Sequence, residues 1–236
     1  MAFVDYEKAF DSVHRPILWR VLRHYGIPIK YVYLFKSIHE NSKCKVNVSG
    51  VLSDEFSVNS GVLQGNVLSP MMFLLLMDFI MRRTVMDGGE GLEWIGSRKV
   101  ADLEYADDAV LISRTPQDLQ NLLSRMHEIS REVGLKINRR KTEIMRTEYS
   151  LRDEITLEGE RIDEVESFKY LGTMICNTGS LEIEFSDRLR KANQTMGRLS
   201  KVWKSNRLKL HLKIRLYISL VRSVLLYGHE SWYDNE

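Results

Sequence analysis

Two adjacent carboxylates, Asp107 and Asp108, interrupt a largely apolar stretch, Leu103-Glu104-Tyr105-Ala106-Asp107-Asp108-Ala109-Val110-Leu111-Ile112. Aromatic and β-branched residues favour strands and aspartate favours turns, so the stretch reads as a hairpin with the acids at its bend. Two carboxylates about 4 Å apart repel by roughly 4 kcal/mol at an effective dielectric near 20, so a functional pair needs a metal ion or protons. Ordinary turn chemistry is the competing explanation. A third acid, Asp5, lies inside the apolar pattern Phe3-Val4-Asp5-Tyr6. An unpaired charge is costly there unless a cation neutralises it; an edge strand facing solvent is the alternative. Hard oxygen ligands select Mg²⁺ or Mn²⁺ over zinc. Two such ions, about 3.5–4 Å apart, can clamp the attacking and leaving oxygens of an in-line phosphoryl displacement. Spacing alone does not establish that Asp5 meets the hairpin.

Composition narrows the setting. The two cysteines, Cys44 and Cys176, exclude a disulfide framework and a four-thiolate zinc site, and they fit a reducing compartment. The longest apolar run, Met71 to Met81, is broken by Asp78 and falls short of the roughly 20 residues of a membrane span. Asp5, Glu7 and Asp11 occupy positions where a signal peptide has a basic region and an apolar core. The expectation is an intracellular protein, in the nucleus or cytoplasm, with no membrane partner. The net charge of +2 conceals an asymmetry: Arg188 to Arg222 holds eleven Lys or Arg and no acid. A basic tail beside an acidic body suggests a polyanion held by one part and worked on by another; a solvated helical face explains it equally.

The chain reads as α+β. Ala2 to Tyr6 forms a buried strand. Pro16 opens a helix closed near Gly26, and a second follows Pro28 with Tyr31, Leu34, Phe35 and Ile38 on one face. Lys43 to Ser49 alternates and turns at Gly50 toward a strand near Glu55 to Val58. Ser69-Pro70 starts a helix over Met71 to Arg83, and the glycine-rich segment Val85 to Gly96 reads as a loop. Thr115-Pro116 starts a helix closed by Gly134. Short strands occupy Leu135 to Ile175. Two helices end the chain, one marked by Leu189, Ala192, Met196, Leu199 and Trp203, the other by Leu210, Ile214, Tyr217, Val221 and Val224.

A resemblance organises these pieces. Phe3-Val4-Asp5-Tyr6-Glu7-Lys8-Ala9-Phe10-Asp11 resembles the first palm motif of reverse transcriptases, and Tyr105-Ala106-Asp107-Asp108 resembles their signature hairpin. Between them, Gly61-Val62-Leu63-Gln64-Gly65-Asn66-Val67-Leu68-Ser69-Pro70 resembles the template–nucleotide motif. Gly134-Leu135-Lys136-Ile137-Asn138 with Lys141-Thr142 resembles the fourth motif, and Phe168-Lys169-Tyr170-Leu171-Gly172 the primer grip. The pattern most closely resembles that of LINE-type (non-LTR) retrotransposons. The resemblance implies a right-hand polymerase palm, an antiparallel sheet backed by helices, over residues 1–176, followed by a basic helical thumb over 177–236.

It also implies roles. Asp5, Asp107 and Asp108 would converge to hold two Mg²⁺ or Mn²⁺ ions, and Lys141 would protonate pyrophosphate, although Arg139-Arg140-Lys141 also reads as a solvated basic turn. Phe10 would exclude a 2′-hydroxyl, or pack as a core aromatic. Gln64 and Gly65 would contact nucleotide and template; Leu63 and Asn66 depart from the family's usual residues there. Phe168, Tyr170, Leu171 and Gly172 would place the primer end. Arg188, Arg190, Lys191, Arg198, Lys201, Lys204 and Arg207 would hold phosphates. Asp11 is expected to cap the Pro16 helix or order the turn before it. The implied activity is RNA-directed DNA polymerisation on an RNA template from a DNA primer and deoxynucleoside triphosphates. The family's fingers region lies upstream of the first motif, and here four residues precede Asp5. The chain by itself is therefore expected to be a weak polymerase, or a catalytically silent nucleic-acid-binding remnant.

Overall fold

The computed structural model describes residues 1–40, 42–63, 65–86, 89–94, 96, 99–147 and 153–232. The chain divides into two compact units, residues 1–144 with 150–164, and residues 145–149 with 165–236. No helix among the described residues is long and apolar enough to cross a membrane.

The main elements of the first unit, in chain order, are β1 (Ala2–Val4), α1 (Arg15–His24), α2 (Ile29–His39), α3 (Ser69–Thr84), β2 (Asp102–Tyr105), β3 (Asp108–Leu111), α4 (Pro116–Glu132), β4 (Glu143–Ile144) and β5 (Asp163–Glu164). The strands form one sheet in the order β5-β4-β1-β3-β2. β1 is central and antiparallel to both neighbours, and only β4 with β5 runs parallel. Its three residues are apolar and buried, as a central strand requires. The register pairs Ala2 with Leu111, Phe3 with Val110 and Val4 with Ala109.

Ala2, Val4, Ala109 and Leu111 share one sheet face and join a buried cluster with Leu18 and Leu22 of α1, Phe73 and Leu76 of α3, and Leu122 and Met126 of α4. By the two-residue alternation, Phe3 and Val110 belong to the opposite face. The helices begin where their punctuation predicts. Pro70 lies in the first turn of α3, whose buried residues Met72, Phe73, Leu76, Met77, Ile80 and Met81 recur every three or four positions. Thr115 caps α4, its Oγ1 accepting from the Asp118 N–H at 3.1 Å.

Three local expectations need correction. The hairpin after α2 is broken into two short ladders, Lys43–Cys44 with Phe56–Ser57 and Asn47–Val48 with Val51–Leu52. Leu92–Glu93, inside the segment read as a loop, pairs with Lys99–Val100. On α2, Tyr31, Leu34 and Ile38 are exposed whereas Val32 and His39 are buried; the His39 carbonyl, at the helix's end, accepts from the buried Arg15 guanidinium at 2.8 Å.

The second unit holds β6 (Ser167–Tyr170), β7 (Thr173–Cys176), α5 (Glu182–Arg198), α6 (Ser200–Lys204) and α7 (Leu210–Leu216), which continues as a π-helical segment, Tyr217–Arg222. β6 and β7 form an antiparallel hairpin pairing Ser167 with Cys176 through to Tyr170 with Thr173. The buried side of α5 also differs from the apolar pattern. Leu189 and Met196 are exposed, while Glu184, Arg188 and Ala192 are buried. Polar contacts to the hairpin, described below, turn the charged stripe inward.

Candidate active site

Asp5 follows β1 directly. Extending the β1–β3 register by one pair sets it opposite Asp108, on the sheet face away from the helix-packed core. Its backbone is fastened on the other side too: its N–H donates to Thr142 Oγ1 at 3.4 Å and its carbonyl accepts from the Asn138 N–H at 2.8 Å. Asp5 Oδ1 is buried and has no hydrogen-bond partner. Lys141 Nζ faces it at 3.6 Å.

Asp107 lies in the β2–β3 turn and Asp108 opens β3 beside it, so the acids sit at the bend expected from the sequence. The connection has two residues, and Ala106 takes φ +58° at its first position, the pattern of a type II′ hairpin turn. Burial lifts the Asp108 carboxyl above the ordinary aspartate range, and the charges of Asp107 and then Asp5 add to the lift. The three acids thus share one electrostatic neighbourhood. They do not close on one point: among the described residues, no three His, Cys, Asp or Glu side chains form a group that could hold an ion as they stand. The expected convergence is corrected to Asp5 opposite Asp108 with Asp107 beside them. The donor chemistry still fits a hard divalent cation: carboxylate oxygens, one of them buried without a donor, and a neighbour that resists ionising.

Phe10 is half-buried and stacks on Phe73 of α3, with ring centroids 4.3 Å apart. Gln64 lies outside the described residues; Gly65 is exposed. What fastens this loop is Gly61 and Arg15, two positions to which sequence reasoning gave no role. Gly61 has φ +75°, and a Cβ there would lie 2.6 Å from the Asp11 carbonyl oxygen. Arg15 donates from Nε to the Gly61 carbonyl at 2.8 Å and from Nη1 to the Val58 carbonyl at 2.7 Å. A buried arginine bonded to carbonyls through Nε and Nη1 leaves no periodic signal, because arginine is ordinarily exposed. Asp11 does not cap α1, whose N-cap His14 makes no side-chain bond; its carbonyl instead accepts from Ser60 Oγ at 3.1 Å.

In the second unit, Phe168 and Tyr170 lie on β6, and Leu171 and Gly172 form the turn to β7. The basic residues sort into groups. Arg188 is corrected: it is 5% exposed and pairs with Glu184, so it is not a phosphate ligand. Arg190 and Lys191 are both paired with Asp187. Arg198, Lys201, Lys204 and Arg207 are exposed, and no described carboxylate pairs with them.

The family model described as reverse transcriptase (RNA-dependent DNA polymerase) matches residues 1–175. The chain is 35% identical over 138 residues to a Retrovirus-related Pol polyprotein from the type-2 retrotransposable element R2DM of Drosophila melanogaster, covering 58% of this chain and 13% of that protein. It is 30% identical over 199 residues to a Retrovirus-related Pol polyprotein from the type-1 retrotransposable element R2 of Nasonia vitripennis, covering 79% of this chain and 19% of that protein. With the RNA-directed DNA polymerase from mobile element jockey of Drosophila funebris it shares 25% identity over 241 residues, 96% of this chain and 25% of that one. The matched regions thus span between 13% and 25% of these relatives. Among solved structures, telomerase from Candida tropicalis in complex with a fragment of telomeric RNA superposes with a TM-score of 0.54 at 14% identity, over 99% of this chain and 40% of that one. That likeness shows an α+β polymerase fold. Reverse transcriptases generally use divalent metal ions. The chain belongs to the reverse transcriptase (RNA-dependent DNA polymerase) family.

Proposed function

We propose that the chain supplies the polymerising centre of a non-LTR retrotransposon reverse transcriptase, extending a DNA primer with deoxynucleoside triphosphates on an RNA template inside the cell. The observation that carries this reading is the buried, donorless Oδ1 of Asp5, set opposite an Asp108 whose carboxyl is already pushed up. Asp5, Asp107 and Asp108 would hold two Mg²⁺ or Mn²⁺ ions. When bound, such ions lower the pKa of the attacking primer hydroxyl and stabilise the departing pyrophosphate.

The protein's own groups do the rest. Lys141 neutralises part of the acidic cluster through its pair with Asp5 and is the proton donor for the leaving pyrophosphate. Phe10, held flat against Phe73, restricts the space at a sugar's 2′ position. Gln64 and Gly65 contact nucleotide and template from a loop fastened by Arg15. The β6–β7 hairpin places the primer end. Arg198, Lys201, Lys204 and Arg207, with Arg190 and Lys191 once released from Asp187, hold phosphates without reading sequence.

Primer extension on an RNA template with Mg²⁺ tests this, using the chain as it stands and joined to the segment that precedes the matched region in R2-type relatives. The expected result is extension that Asp107→Asn abolishes while primer–template still binds. Binding without extension in both forms would overturn the polymerase reading in favour of a silent nucleic-acid-binding protein.

A further inference from the structure

The turn between β6 and β7 is gripped from behind by side chains of α5 and of the segment after the π-helix. Both of its central residues are left-handed, Leu171 at φ +46° and Gly172 at φ +87°, the pattern of a type I′ turn. A leucine persists in that conformation only when its surroundings over-determine it. Here they do. Tyr227 donates its hydroxyl to the Leu171 carbonyl at 2.9 Å. Arg188 donates from Nη2 to the Gly172 carbonyl at 2.5 Å and from Nε to Glu184 at 2.5 Å. The other Glu184 oxygen accepts from the Met174 N–H at 2.7 Å. The guanidinium lies 4.6 Å from the centre of the Tyr227 ring, and a Cβ on Gly172 would come within 3.1 Å of that ring.

We infer that Glu184, Arg188 and Tyr227 are positioning residues that lock the Leu171-Gly172 turn and thereby set where the primer's 3′ terminus rests. This deepens the polymerase reading and rests on it for the hairpin's role. A buried ion pair contributes little net stability compared with apolar residues of equal volume; it holds one geometry instead. Glu184 is fully buried and Arg188 nearly so, yet with Tyr227 their polar atoms converge on both carbonyls of the turn and on one N–H of the adjoining strand β7. Leu171 remains 38% exposed. The back of the turn is fixed while its tip stays open to a ligand.

Arg188→Ala strands Glu184 as an unpaired buried charge and is expected to unfold the unit, so Tyr227→Phe and Arg188→Lys carry the test. Tyr227→Phe keeps the ring over Arg188 and removes one hydrogen bond. Amide hydrogen exchange at Thr173, which pairs with Tyr170 across the turn, should quicken about five- to tenfold, the loss of a single hydrogen bond. A primer–template with 2-aminopurine at the primer 3′ terminus should show a fluorescence response on binding that Tyr227→Phe alters without changing the dissociation constant. Arg188→Lys should retain part of the normal response. Faster exchange with an unaltered fluorescence response would overturn the inference, as would no response from the unaltered chain. Extension with Mg²⁺, run alongside, reports on the polymerase reading separately, because the fluorescence signal requires no turnover.

Discussion

Lys141 holds its ammonium 3.6 Å from Oδ1 of Asp5, the buried carboxylate oxygen that has no hydrogen-bond donor. The lysine therefore competes for the place at which a divalent cation would be held, and it stands beside the proposed leaving group. Two consequences of opposite sign follow from this one contact.

Replacing Lys141 by methionine keeps an unbranched side chain one atom shorter and removes its charge. Mn²⁺ binding, read by electron paramagnetic resonance, should tighten about fivefold, matching the roughly 1 kcal/mol between unit charges at 4 Å in water-like surroundings. Single-turnover extension should fall by at least about a hundredfold if the lysine supplies the proton. Weaker Mn²⁺ binding by Lys141→Met would show that the lysine supports the cation site instead of competing with it.

Asp108 carries a pH signature. Its carboxyl holds a proton more tightly in the folded chain than the ordinary aspartate value of 3.8 implies, because of burial and then the charges of Asp107 and Asp5. The folded state therefore binds more protons than the unfolded state across that window, and this group's contribution to stability declines as pH rises through it. Without divalent ions, Asp108→Asn should raise the urea midpoint at pH 7, and its advantage should close as pH falls toward 3.8. An equal difference at both ends of the range would mean that the substitution acts through packing and not through charge.

The exposed cations of α5 and α6 should control salt dependence. Neutralising Arg198, Lys201 and Lys204 together should weaken primer–template binding and flatten its log–log salt slope by about 0.7–0.9 for each phosphate that is no longer neutralised. Asp107→Asn should leave that slope unchanged. Equal effects from both sets of variants would contradict the division between holding and chemistry.

Gly61→Ala tests the fastening of the loop that carries Gln64 and Gly65. The left-handed backbone by itself costs an alanine about 1–2 kcal/mol. Its Cβ would also meet backbone atoms of Asp11 and Phe10 at 2.6 to 2.7 Å, where no flexible side chain can yield. Urea unfolding should show a larger loss than the conformational term, and a loss below about 1 kcal/mol would mean that the two backbone segments separate easily.

Tyr6→Phe addresses the core beneath Asp5. The Tyr6 hydroxyl and Ser130 Oγ are 2.8 Å apart and buried, and burial raises the Tyr6 phenol well above its usual range. Leaving Ser130 unpartnered should cost about 1–3 kcal/mol in chemical unfolding, and Tyr6→Phe with Ser130→Ala should cost less than the separate losses added together.

Much of the candidate site was legible in the chain. The strand bearing Asp5, the hairpin bearing Asp107 and Asp108, and the helix starts at Pro16, Ser69-Pro70 and Thr115-Pro116 all carry their cause within a few residues. The roles of the tail's basic residues were less legible. Counting charge from Arg188 onward treats every cation alike, but helical phase sorts them: Arg188 lies four residues after Glu184 on the buried side of α5, whereas Arg198 is exposed. The apolar residues Leu189 and Met196 pointed to the other side, and polar contacts with the hairpin turn overrode them.

The sequence by itself determined the kinds of element, their order and the chemistry available, because periodicity, turn propensity and carboxylate repulsion are local properties. Tertiary structure decided which distant residues meet. Antiparallel pairing of β1 with β3, in the one register that buries Ala2 and Val4 against the helices, set Asp5 opposite Asp108 on the other face. A slip of one residue would have put the acid into the core, where an unpaired carboxylate cannot be solvated. Likewise, the burial of Arg188 depended on the hairpin carbonyl waiting above it. Desolvation and long-range pairing act on the assembled chain, and no window of neighbouring residues contains them.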